Sequence, residues 1–286
     1  MLADAIRSEA YRFSKNRTAV LWSTLFVPVV GLVITILGQI FLKERMGEIT
    51  DARLPPAMLQ GGPLDLGQAL PGLAGGLAHP MLLLFVLVGV ATLYAGDYRW
   101  ESWRLTTARN TRPNLLLGKV GVAKGLILIA MMVMLVAGVL GEFAKAAIFD
   151  RALTFTFDGG DAGQVAALFG LSLVRIVQFT MLGLLAAVMT RSLLAALFVP
   201  LVVTVGQFFL MQSLPLMGLE PTDWRSQLAI PGLAFDTLKA LVEGGPGAAT
   251  ATDGVAWKAA ISLGLWTLAP LAVAIAWFQR QDLSKE

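Results

Sequence analysis

Apolar and charged positions alternate along this chain in long blocks, not in the short periods of a water-soluble fold. Segments free of Asp, Glu, Lys and Arg cover 18–42, 66–96, 125–141, 162–190 (broken only by Arg175), 192–219 and 259–279. A bilayer core about 30 Å thick is crossed by about 20 helical residues, so each block reads as one transmembrane helix. In the second block Pro71, the pair Gly75-Gly76 and His79-Pro80 are helix breakers, which place the span at 77–96. The third span is extended to 122–144, with Lys124 and Lys145 able to reach the headgroups from its ends. The fourth and fifth blocks together would make one helix of roughly 87 Å at 1.5 Å per residue, so they must turn back at Thr190-Arg191-Ser192. The expected architecture is an all-α polytopic membrane protein, a single transmembrane domain over residues 1–286, with spans at 18–42, 77–96, 122–144, 167–190, 192–214 and 258–279.

Composition agrees with this pattern. Hydrophobic residues make up 56% and charged residues 14% of 286, with a mean hydropathy of +0.72, whereas a soluble domain carries about 25% charge. The chain has no cysteine, which excludes disulfides, Cys-ligated zinc, iron–sulfur clusters and thiol chemistry. The distribution of charge says more than the net +3. With the N-terminus inside, the inner segments hold 13 Lys and Arg and the outer ones 8. Cytoplasmic loops are enriched in these residues, so both termini are expected in the cytoplasm. The first apolar block follows a polar leader containing Asp4 and Glu9 and lacks a small-residue cleavage site, so it is expected to stay as an anchor.

Residues 1–17 place Leu2, Ile6, Ala10 and Phe13 on one helical face. Such a helix can lie in the inner interface with its bases toward anionic lipid, or serve only as a positive-inside anchor. The connector between spans two and three is richer in chemistry. In Asp97-Tyr98-Arg99-Trp100-Glu101-Ser102-Trp103-Arg104-Leu105, on a helix, Asp97, Glu101 and Arg104 fall at i, i+4 and i+7 beside the two tryptophans. Trp and Arg are the residues that anchor docking surfaces, but an interfacial aromatic belt has the same composition.

That run, followed by Arg112 and by Lys119 at the head of the next span, resembles the signature loop of ABC-2 type permeases, the membrane subunits of ATP-binding-cassette exporters. The amphipathic N-terminal helix, the six spans and the long outer segment before the last span are also similar to that family. Glu101-Ser102 stands where members usually have Gly-Thr, and Asn110-Thr111-Arg112-Pro113 replaces Pro-x-Ser-Arg, which leaves the subfamily open. The resemblance implies that 97–118 is the coupling segment, seated on the ATPase, with Asp97, Arg99, Glu101, Ser102, Trp103 and Arg104 as the contact set. Arg112 and Lys119 would fix the return into span three. It further implies two copies of an ATP-binding cassette ATPase subunit as partners, ATP and Mg²⁺ bound there and no cofactor or metal on this chain. A second permease copy (a homodimer), surrounding membrane lipid, a bacterial inner membrane and no nucleic acid complete the expectation. The chain itself has no Gly-x-x-x-x-Gly-Lys-Ser/Thr loop.

Other features are weaker. Arg175 is the one ionised residue well inside a block; an arginine at the bilayer centre costs about 2.5–3.5 kcal/mol even on insertion scales. Counting back from Thr190 puts it only a turn below the outer end, where it can snorkel; Gln178 and Ser172 share its face and would otherwise line a polar cavity with it. The segment 215–257, broken by Pro215, Pro221, Pro231 and Pro246, is expected to form an amphipathic outer helix or helical pair, with Ile230, Ala234, Leu238, Leu241 and Val242 opposite Asp236, Lys239 and Glu243; in the resembling family such helices close the outer end of the path. An intramembrane enzyme needs several convergent ionisable groups, and one Arg with the single His79 do not supply them. Secondary transporters place acids within spans, and here only Glu142 approaches one. A non-transporting scaffold remains the other class. A path with few fixed charges favours an amphipathic or hydrophobic cargo such as a peptide, antibiotic or lipid.

Overall fold

The computed structural model describes residues 1–45, 62–99, 103, 107, 110–244 and 253–281. It is a helical bundle. Helix α1 (Leu2–Lys15) is followed by α2 (17–45), which contains one π-helical turn at Trp22–Phe26. Next come a short helix α3 (Leu66–Gly75), then α4 (Pro80–Arg99), α5 (Arg112–Ile148), α6 (Gly159–Thr190), α7 (Leu193–Ser213), α8 (Trp224–Ala229), α9 (Pro231–Glu243) and α10 (Asp253–Arg280). Among the described residues six helices are long and apolar enough to cross a membrane: α2, α4, α5, α6, α7 and α10.

Local chemistry fixes the turns. Arg191 sits in the left-handed region at φ 58° and Ser192 caps α7 by accepting the Ala195 N–H, so α6 and α7 form the hairpin that their combined length requires. Asp158 and Asp161 cap the start of α6 reciprocally. The core is organised around α6, whose most apolar window is 78% buried, against 6% for α2 and 11% for α7. Helices α10, α7, α3 and α4 all pack on α6. The two lightly packed spans present Val33, Ile34 and Leu37 on α2, and Phe198, Val202 and Phe209 on α7, as exposed apolar faces. A membrane protein turns such faces to lipid or to another chain.

The two ends differ. Both α1 and the C-terminal end of α10 lie at one end, the terminal face, where the Asn110 side chain donates to the Met1 carbonyl. The opposite, distal face carries α3, α8 and α9 and a two-residue parallel pairing of β1 (Leu64–Asp65) with β2 (Leu153–Thr154), an addition to the all-helical expectation. Asp65 fastens that pairing. Its carboxylate accepts N–H bonds from Gly67, Gln68 and Thr156 and hydroxyl bonds from Thr154 and Thr156. The apolar stripe of α9 is seated on the bundle, with Ile230, Leu233, Ala234 and Phe235 buried. Part of the first distal loop, 46–61, lies outside the described residues.

Hydrogen bonds, chiefly from Thr156, hold the Asp65 carboxyl at about 2 instead of 3.8. A depressed carboxyl pKa favours the folded loops above about pH 4, and that contribution is lost as pH falls through about 2. In thermal melts of the detergent-solubilised chain, Asp65→Asn is expected to remove the part of the acid-limb drop in melting temperature that falls between these values; an unaltered acid limb counts against the staple.

Candidate functional site

The terminal face holds a cluster of four charges drawn from three helices. Lys119 lies two turns into α5 and is 2% exposed. Its ammonium meets Asp97 Oδ2 at 2.6 Å, Glu9 Oε2 at 3.2 Å and the Leu93 carbonyl at 2.8 Å, and lies 5.2 Å from the Trp103 ring. Arg12 completes the set, donating through Nη1 to Glu9 Oε1 at 2.8 Å and through Nη2 to Asp97 Oδ1. Asp97 is 1% exposed and Glu9 5%. A lone buried ammonium would lose several kcal/mol of hydration, at an order of magnitude, and only a fully bonded partner set offsets that. Two cations against two carboxylates, each bridged to both groups of the opposite sign, form such a set. Burial works against the charge on Arg12, yet the Asp97 and Glu9 carboxylates outweigh it and raise its pKa above the ordinary value.

The backbone brings these groups together because α1 lies directly on α5. A Cβ added at Gly118 would stand 2.9 Å from the Ala5 Cβ, and one at Gly121 would stand 3.1 Å from Ile6. These small residues admit the close approach that puts Glu9 beside Lys119. Their effect corrects one reading of α1. The buried stripe is Ala5, Glu9 and Phe13, while Leu2 and Ala10 are exposed. Pairing with Lys119 rotates the acid inward in place of the purely apolar face. A cavity of about 210 Å³ opens over the cluster between α1 and α4, walled by Arg12, Phe13, Asn16, Thr92 and Gly96.

The connector is tied down at its other end by Arg112. Its Nη1 donates to the carbonyls of Phe278 (3.2 Å), Gln279 (3.0 Å) and Gln281 (2.6 Å), the last turn of α10. A cation on the free carbonyls of a helix C-terminus is favoured by both hydrogen bonding and the helix dipole. Trp103 is 2% exposed, 4.6 Å from the Phe278 ring and 5.6 Å from Tyr98 between centroids. Tyr98 donates to Gln281 Oε1 at 3.1 Å, and Gln281 Nε2 donates to the Val188 carbonyl on α6 at 3.0 Å.

Of the contact set, then, Asp97 and Trp103 have their side chains turned into this chain, because a buried ammonium and an aromatic pair compete for them, and Arg112, expected to fix the return into span three, is held on the end of α10. Arg99 closes α4; Glu101, Ser102 and Arg104 lie outside the described residues. Glu9, Arg12, Tyr98, Phe278 and Gln281 were not singled out from sequence. The available signals were a lysine set seven residues inside an apolar helix and the Glu9–Arg12 pair one turn apart.

At the distal face Arg175 does not snorkel to the rim. It is 9% exposed, covered by α9, with Nη1 donating to Gln178 Oε1 at 2.8 Å and its guanidinium 4.6 Å from the Phe179 ring and 5.8 Å from the Phe235 ring. Ser172 donates to the Ala74 carbonyl of α3 instead of joining it. Gln207 Oε1 accepts the Gly232 N–H at 3.2 Å, pinning the start of α9 to α7.

Among the described residues, six helices long and apolar enough to cross a membrane, with a connector braced at both ends, give the architecture of a multi-pass membrane protein. The family described as ABC-2 family transporter protein matches residues 104–283, well over half of the chain, and the chain belongs to that family. It is thus a permease, a multi-pass membrane subunit of the kind that works with a separate ATPase. No curated protein and no solved structure matches it.

Lys119→Met leaves two buried carboxylates facing one guanidinium, and breaking a buried pair costs about 3–5 kcal/mol. Its melting temperature is expected to fall sharply. Adding Glu9→Gln, which restores one cation to one carboxylate, is expected to recover a large part of the loss; equal melting of wild type and Lys119→Met would contradict the cluster.

Proposed function

We propose that this permease is the membrane half of an ATP-driven exporter in a bacterial inner membrane, acting as a homodimer with two ATPase copies bound at the terminal face, which is cytoplasmic. The segment 97–118 is its coupling element. The observation that carries this reading is the double bracing of the connector: Asp97 and Lys119 join its two ends to each other and to α1, while Arg112, Trp103 and Tyr98 join it to the end of α10. A partner that pushes on such a segment moves rigid helices instead of bending a loop, and rigid-body shifts of packed helices are how closure of one domain reaches another.

The contact with the ATPase falls to Arg99, Glu101, Ser102 and Arg104, the rest of the contact set, Glu101 foremost. Asp97 and Trp103 act from inside, keeping the segment in place. At the distal end α8 and α9 are the outer gate: Trp266 Nε1 donates to the Leu228 carbonyl at 2.8 Å and Gln227 Nε2 to Thr237 Oγ1 at 3.0 Å, which ties the pair to α10 and to each other. An amphipathic or hydrophobic cargo suits a bundle whose buried surface is mostly apolar.

Glu101→Lys reverses a charge at the proposed contact, where like-charge juxtaposition costs several kcal/mol. When the variant is co-expressed with a cognate ATP-binding cassette ATPase, the amount of ATPase retained on the tagged permease is expected to drop on the order of tenfold, with the permease's own melting temperature unchanged. Full retention speaks for a scaffold or for another contact surface. Trp103→Ala is a less clean test, since removing a buried Trp costs about 3–5 kcal/mol of packing and melts the brace itself.

A further inference from the structure

We infer that Arg175 and Gln178 form an anion-recognition site beneath α9 for the acidic headgroup of an amphiphilic cargo. This deepens the permease reading, on which it rests, by naming a substrate class: a phosphate or carboxylate carried on an apolar body.

The argument starts from donors and acceptors. A guanidinium offers five N–H donors and no acceptor. Gln178 Oε1 is the hydrogen-bond acceptor Arg175 has among the described residues, and no carboxylate of a described residue stands within ion-pair distance of it. Gln178 is 1% exposed, and its Nε2, a second donor, has no partner. The groups left over are therefore donors on two neighbouring side chains of α6, closed off from water. Gln207, which contributes an acceptor nearby, spends it on the Gly232 N–H. Such a surplus is costly in an apolar interior, and the species that satisfies it is an oxyanion, for which a guanidinium provides paired, charge-assisted hydrogen bonds.

The cover over these donors is the proposed gate. A Cβ on Gly232 would lie 3.2 Å from Arg175 Nη2 and 3.3 Å from Gln207 Oε1, so the guanidinium reaches the backbone at the very start of α9. Two of its contacts, Gln178 and Phe179, belong to its own helix and persist if α9 lifts; Phe235 and the electrostatic pull of Asp236 leave with α9. In the closed bundle Asp236 acts as a distant stand-in for the missing anion. When α9 lifts, the cargo's own acid takes that role, and Phe179 with the apolar stripe of α9 faces the cargo's hydrocarbon. The bound anion is then released to the outside as hydration of Arg175 competes with it.

The test needs no ATPase, so its failure is distinguishable from failure of the permease reading. The full chain in neutral detergent is titrated calorimetrically with octyl phosphate, with inorganic phosphate and with octyltrimethylammonium. Octyl phosphate is expected to bind most tightly, to weaken with salt, and to lose on the order of tenfold in Arg175→Gln and in Gln178→Leu. Arg175→Lys, which keeps the charge, is expected to retain part of the affinity. An affinity unchanged in Arg175→Gln, a preference for the ammonium probe, equal binding of inorganic phosphate, or no binding of any probe overturns the proposal. Because the chain has no cysteine, an Ala234→Cys chain adds a second readout. Ala234 is fully buried, and its labelling by a water-soluble maleimide is expected to speed up with octyl phosphate and not with octyltrimethylammonium; no difference between the two counts against the gate covering this site.

Discussion

A lysine ammonium buried where three helices meet sets the terms for the terminal half of this molecule. Lys119 is carried into the apolar part of α5 by helix periodicity alone, and the cost of leaving it unpaired exceeds what any single contact supplies. Its partners therefore define the fold around it. Asp97 must stand at the end of α4, Glu9 must face inward on α1, and α1 must lie down on the glycines of α5 so that Glu9 can arrive. Helix α1 is thus part of the bundle, since its acid lies in the bundle's interior. Arg12 then balances the second carboxylate from the edge.

The same economy of charge fixes the connector in place. Its ends emerge from helices already fastened to one another by ion pairs, and its middle is held by aromatic contact to Phe278 and by Arg112 on the end of α10. These contacts link the connector to α1, α4, α5 and α10, and through Gln281 to α6, the most buried helix of the bundle. The distal face is organised differently. Its buried cation is met mostly by groups of its own helix, and the covering element is attached by an apolar stripe and a few neutral hydrogen bonds. One end is thus fastened by buried ion pairs and the other by apolar contact and neutral hydrogen bonds.

Much of this was legible in the sequence, and the rest was hidden for definite reasons. Charge-free blocks give the six spans because the bilayer leaves no alternative for a backbone that must satisfy its own hydrogen bonds; the hairpin at Arg191 follows from length alone. The special status of 97–119 was visible in its Trp and Arg content. What could not be read was the direction in which those side chains point. Asp97 and Trp103 have the composition of a docking surface, yet they face inward, because Lys119 and Phe278, distant in sequence, compete for them. Glu9 was overlooked since an acid on an amphipathic helix is ordinarily solvated, and only the glycines at 118 and 121, read against Ala5 and Ile6, show why it is not. Arg175 had two readings, and the choice depended on whether α9 covers it, a tertiary fact.

The claim on which the rest turns is that Lys119 fastens α1 and the connector into one unit. Hydrogen exchange of the full chain in neutral-lipid nanodiscs measures this directly, comparing the native protein with Lys119→Met. Exchange in Leu2–Lys15 and around Asp97 that accelerates together, on the order of tenfold or more, while α9 keeps its native protection, is the expected result. Native protection of α1 in the variant, or loss of protection in α9 as large as that in α1, would contradict it.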